Sequence, residues 1–174
     1  YGASASVSSL ARCIAHDGVG DGAGFLQEGS FVIFDQCIAD SNGSDGFKLA
    51  CRAKMVKCDA YNNTGDGVDL ANASDFVYFI ENSNFIKNGG WGINGSGASY
   101  RIGKVSNCGF GAGTQANTSG TTTGLKGIVE SGSITYASNV SPWVDPANGD
   151  FRINLVTAKG VGRSTFTQTA ASYT

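Results

Sequence analysis

Proline is nearly missing from this chain, at 2 residues in 174, and histidine and methionine each occur once. Longer apolar runs are missing too. No stretch approaches the length of a membrane span, and no charged segment precedes an apolar core near Tyr1. The formal net charge of −2 and the pI near 5.2 give no electrostatic footprint for nucleic acid or an anionic membrane, so neither is an expected partner. No C-x-x-C pair occurs, which disfavours a zinc site, and no G-x-S-x-G or Ser-His-Asp arrangement can be placed around the single His16. A sustained 3.6-residue apolar period is absent, so helix is not expected beyond a turn or two. What is abundant is glycine, at 26, beside 10 Phe and 6 Tyr. That balance suits many short strands joined by tight turns, and the chain is too aromatic to be disordered.

The spacing is organised around CDAYNNTGDGVDL, residues 58–70. Setting Cys37 on Cys58 aligns Asn42 with Asn63, Asp45-Gly46 with Asp66-Gly67, Phe47 with Val68 and Leu49 with Leu70. Cys13, Cys37, Cys58, Ser83 and Cys108 follow one another at steps of 24, 21, 25 and 25 residues. In this register Asp21-Gly22 falls on Asp45-Gly46, and Asn88, Gly92 and Ile93 fall on Asn63, Gly67 and Val68. A period in this range signals a solenoid whose repeats bury apolar faces by stacking.

Read down the columns, Leu10, Phe34, Met55, Ile80 and Val105 form an interior apolar ladder, while Arg12, Gln36, Lys57, Asn82 and Asn107 face water. Alternation of two within each stretch predicts strands, and the three-residue step from Leu10 to Cys13 requires a bend. Asn42, Asn63 and Asn88 sit at a second bend, where asparagine tolerates the left-handed conformation and its amide can bond its stacked neighbour. Four of the five cysteines share one column, which favours a stack of buried thiols over disulfides and suits assembly in a reducing cytoplasm.

Over residues 5–110 these coils and the asparagine column resemble the right-handed parallel β-helix of the pectate-lyase-like superfamily. The resemblance implies an all-β, single-stranded parallel β-helix of about seven coils. The whole chain, residues 1–174, reads as one such domain; lacking a starting Met, it looks like a piece of a longer chain. Residues 111–127 read as a long polar loop. Residues 141–174, with DPANGDFRI, resemble the closing coil and tail of secreted and phage β-helix proteins, with Trp143, Phe151, Ile153 and Leu155 as apolar cover.

Asp21, Asp45 and Asp66 form the most suggestive set, because coils stack about 4.8 Å apart. Neighbouring carboxylates then approach the retaining-glycosidase separation of about 5 Å, and first and third the inverting range. Stacked acids repel, so the column requires solvation or a cation, for which Ca²⁺ is the candidate; no cofactor is otherwise implied. The alternative is that each Asp makes a local hydrogen bond in an Asp-Gly turn. Asp69 and Lys48 share an outward column with Gly24 and Asn94. Asp45, Asp66 and Asp69 are thus the candidate catalytic acids, with Tyr61, Trp91 and Lys48 as candidate sugar-binding residues; Tyr100 is a further surface aromatic. His16 with Asp17 could act as a base. The superfamily's lyase and polygalacturonase signatures are missing. The resemblance therefore implies first a structural or recognition module of a virion or cell surface, like a tail-spike or fibre shaft. Such a module would bind a polysaccharide or cell-surface glycan and assemble as a homotrimer. The alternative is a carbohydrate-active lyase or hydrolase.

Overall fold

The computed structural model describes residues 7–29, 31–70, 77–95, 102–111, 128–136 and 142–154. Each coil opens with a five-residue strand, turns, and continues through a three-residue strand to a third short strand. The first coil is β1 (Val7–Ala11), β2 (Ile14–His16) and β3 (Phe25–Gln27), and the second is β4 (Phe31–Asp35), β5 (Ile38–Asp40) and β6 (Phe47–Leu49). The third is β7 (Arg52–Val56), β8 (Asp59–Tyr61) and β9 (Val68–Asp69); the fourth is β10 (Val77–Glu81), β11 (Asn84–Ile86) and β12 (Ile93–Asn94). Two more rungs follow with two strands each, β13 (Ile102–Ser106) with β14 (Gly109–Gly111), and β15 (Ile128–Ser131) with β16 (Ile134–Tyr136). Corresponding strands pair in parallel, giving two six-stranded sheets and one four-stranded sheet. The fold is an all-β parallel solenoid, as expected; among the described residues four coils show three strands each and two more rungs show two, where about seven coils were anticipated. Among the described residues the only helix is a single 3-10 turn, Pro146–Asn148, and no helix is long and apolar enough to cross a membrane.

Stacking in register explains the sequence columns. Leu10, Phe34, Met55, Ile80 and Val105 occupy one line of the first sheet. All but the partly buried Leu10 are at most 1% exposed. The bend that the Leu10-to-Cys13 step demanded falls on Arg12, Gln36, Lys57, Asn82 and Asn107, each with φ between 51° and 57°. That column is a left-handed corner and not the wet face of a strand. The second corner is displaced by one residue from expectation: positive φ belongs to Asp17, Ser41, Asn62 and Lys87, and not to the asparagines after the last three of them. The asparagines serve the other predicted purpose. Asn42 Nδ2 donates to Asn63 Oδ1 at 2.9 Å and Asn63 Nδ2 donates to Asn88 Oδ1 at 2.9 Å, a ladder buried inside the coil.

Cys13, Cys37, Cys58, Ser83 and Cys108 do share a column at the first corner, where the Ser83 hydroxyl accepts the Cys58 backbone N–H at 3.0 Å. All five cysteines are free thiols; Cys37, Cys51, Cys58 and Cys108 are fully buried and Cys13 is half-buried. Burial pushes the Cys58 thiol well above 9, which keeps it protonated and unreactive. Because Cys37, Cys51, Cys58 and Cys108 are shielded by burial, a thiol-reactive chromophore is expected to label one equivalent, Cys13, quickly in native protein and all five after unfolding. Rapid native labelling of Cys58 would show that the stack is open.

The predicted closing coil takes a different form. Its described part is an antiparallel hairpin, β17 (Trp143–Asp145) and β18 (Asp150–Ile153), joined by the 3-10 turn with Gly149 at φ 77°. It lies along the outer face of the second sheet. Trp143 and Phe151 bury themselves there against Ile38, Tyr61, Ile86 and Tyr136. A flank of the solenoid is thus covered. Residues 112–127 of the expected polar loop, and the tail from residue 155 with Leu155, lie outside the described residues.

Candidate functional site

The third sheet places the predicted acids. Phe47, Val68 and Ile93 point inward and are fully buried, so the next residue of each strand points outward. Register sets Leu26, Lys48, Asp69 and Asn94 in one outward row. Leu26 therefore takes the position expected for Gly24. Each strand is entered through a glycine whose backbone abuts the next coil. A Cβ on Gly46 would lie 2.7 Å from the Gly67 carbonyl oxygen, and one on Gly67 would lie 2.6 Å from that of Gly92. No side chain fits this column, which is the steric reason for half of each Asp-Gly pair.

The other half of each pair is a hydrogen-bonding device. Asp45 Oδ1 accepts the Asp66 N–H at 2.8 Å, and Asp66 Oδ1 accepts the Trp91 N–H one rung further on. Asp66 Oδ2 accepts from Asn94 Nδ2 at 2.8 Å. Lys48 Nζ lies 3.8 Å from both Asp45 Oδ2 and Asp69 Oδ2, bridging two coils. With the lysine side chain 42% exposed, each pair contributes at most about 1 kcal/mol. Asp45, Asp66, Asp69, Lys48 and Trp91 therefore do converge, on a strip shared by three coils.

Burial raises the pKa of Asp66, with the nearby Asp45 charge adding to the effect, while the Asn94 and Trp91 hydrogen bonds oppose it. The native state then holds this proton more tightly than the unfolded chain. Around and just above pH 3.8, stability from this group is gained as pH falls and lost as pH rises. A carboxyl-carbon NMR titration should give Asp66 a midpoint above 3.8, the ordinary value, and Asp66→Asn should flatten that part of the stability profile.

Asp21 does not join the column. The Gly24 N–H donates to the Asp45 carbonyl, and Phe25 pairs with Phe47, so Ala23 stands beside Asp45 and Asp21 lies in an exposed turn. The carboxylate triad proposed to hold Ca²⁺ is thus not assembled. Among the described residues no group of three or more His, Cys, Asp or Glu side chains is placed to hold a metal ion. Tyr61 is not an open platform either. It is 4% exposed, with its ring edge-on to Trp143 at 5.6 Å and to Phe151 at 6.0 Å. Trp91 is half-buried at the end of the acid column, and Tyr100 lies outside the described residues. A second polar cluster lies on the second sheet: His16 pairs in register with Asp40, beside Asp17 and Ser41, in a groove beneath the hairpin. The 24-residue step that aligns Cys13 with Cys37 also aligns these two, so the signal was present.

Compared with known families, residues 1–123 match the model described as a right-handed beta helix region. Compared with curated proteins and with solved structures, the chain gives no match.

Proposed function

Because the chain belongs to the right-handed β-helix family, we propose that it is a recognition and spacing module of a virion or cell surface, binding a glycan through the outward strip of its third sheet. The observation that carries this reading is the way the acids are occupied. Asp45 and Asp66 each commit one carboxylate oxygen to a backbone N–H of the next coil, which holds them as fixed acceptors along the outward strip. Lys48, Asp69 and Asn94 supply donors and acceptors on adjacent rungs, and Trp91 supplies an apolar surface at the end of the strip. Sugar hydroxyls pair with such side chains, and the C–H face of a pyranose packs on indole. The free-thiol column fits assembly in a reducing compartment before display on a particle. The homotrimer remains part of this proposal, with lateral contacts on faces other than the one the hairpin covers.

A polysaccharide panel tests the reading. Binding is expected with neither reducing ends nor unsaturated products released, and Trp91→Ala or Lys48→Ala should weaken it at least about tenfold, the loss of one stacking or charge-assisted contact. Product release that disappears in Asp66→Asn would replace this proposal with the carbohydrate-active enzyme.

A further inference from the structure

Between the second sheet and the hairpin lies an open groove of about 570 Å³, lined on one side by Ile14, His16, Asp17, Asp40 and Ser41. The other wall is the hairpin, residues Ala147 to Gly149 and Phe151. Two carboxylates face this space, and among the described residues that line it there is no Lys or Arg. Asp40 forms the half-buried floor. Its Oδ1 accepts the Ser41 hydroxyl at 2.9 Å, and among the described residues no donor sits on Oδ2. Asp17 stands on the rim, its Oδ2 3.1 Å from His16 Nδ1. The backbone N–H of Asp17 donates to the Asp40 carbonyl at 3.1 Å, so the two residues lie on adjacent coils, whose backbones stack about 4.8 Å apart.

We propose that this groove binds a small organic amine, its ammonium held between Asp17 and Asp40 and its carbon skeleton lying against Ile14 and Phe151. Charge complementarity selects a cation. The scarcity of oxygen ligands argues against a metal, since Ca²⁺ takes six to eight oxygens and two carboxylates with one hydroxyl fall short. Apolar walls favour a cation that carries carbon. Burial raises the Asp40 pKa and the neighbouring Asp17 charge adds to this, while the Ser41 hydrogen bond and His16 oppose it; an ammonium between the two carboxylates offsets their repulsion.

Benzylamine is the probe, with benzyl alcohol as its neutral counterpart and CaCl₂ as the competing metal. In amide-resolved NMR at pH 7 and low salt, benzylamine should give saturable shifts at Asp17, Ser41, Asn148 and Gly149, and benzyl alcohol none. Asp40→Asn, which keeps an acceptor for Ser41, should raise the dissociation constant at least about tenfold, the scale of one charge-assisted contact. The exposed Asp17→Asn carries the same test should Asp40→Asn fail to fold, with about a threefold effect for a screened rim charge. Equal binding of benzyl alcohol, indifference to both variants, displacement by millimolar CaCl₂, or shifts centred on Lys48 and Asp69 would each overturn the proposal.

Discussion

Phe47→Ala is expected to lower the unfolding free energy by about 3–5 kcal/mol, the usual cost of emptying a buried phenylalanine site. Phe47 has no exposed surface. Its ring stacks on Phe25 at 4.9 Å and meets Phe34 edge-on at 5.3 Å, tying the first coil to the second. Leu10, Cys13 and Phe25 of the first coil are only partly buried, so that coil depends on this contact. Because each coil touches only its neighbours, the loss should fall first on the coil of β1 to β3, whose side chains are the least buried. Denaturant unfolding followed by circular dichroism should show a lower midpoint, and hydrogen exchange should show β1 to β3 opening ahead of the remaining coils. A change below about 1 kcal/mol would mean that the rings do not hold the coils together.

Asn63→Ala should cost about 3 kcal/mol, chiefly by stranding hydrogen-bond partners. Asn63 Oδ1 accepts from the backbone N–H and the Nδ2 of Asn42, at 3.1 Å and 2.9 Å. Its own Nδ2 donates to the Ala39 carbonyl and to Asn88 Oδ1. Alanine leaves these partners unpaired in a site 1% exposed, and each buried group stranded this way costs about 1–3 kcal/mol, partly relieved if water enters. Asn63→Asp keeps the acceptor but turns a second acceptor towards Asn88 Oδ1 and buries a charge. It should be at least as damaging at neutral pH and recover partially as pH is lowered. Urea titrations of both variants at pH 7 and pH 4 would measure this. Equal stability of the wild type and Asn63→Ala would show that the ladder contributes nothing.

The two variants probe features of different legibility. The column of Phe47 and Val68 could be read from one chain because an inward position recurs at a fixed step, and so could the asparagine column. The corner geometry was read less well. Left-handed residues are Arg12, Gln36, Lys57, Asn82 and Asn107 at one bend, and Asp17, Ser41, Asn62 and Lys87 at the other, a mixture of which the turn rules single out only the Asn and Asp members. Stacking forces these conformations on the chain. The outer column of the second sheet did carry a warning, since Tyr61, Ile86 and Tyr136 are too apolar for a wet face. That pattern marked a covered surface without saying what covered it.

By itself the sequence determined the parallel solenoid, its apolar and asparagine columns, and the strip on which Asp45, Asp66, Asp69, Lys48 and Trp91 meet, because stacking converts a repeated spacing directly into neighbouring positions. Tertiary structure decided the membership of Asp21 and Tyr61. Gly24 follows Cys13 by 11 residues where Gly46 and Gly67 follow Cys37 and Cys58 by 9, and pairing of Phe25 with Phe47 pushes the two extra residues into the exposed turn, taking Asp21 off the column. Tyr61 is lost to any ligand because Trp143 and Phe151, some eighty residues away, bury their rings against it. Local spacing cannot anticipate either result, since a turn absorbs insertions without cost to the strands and a lateral contact is made wherever apolar surface is left to cover.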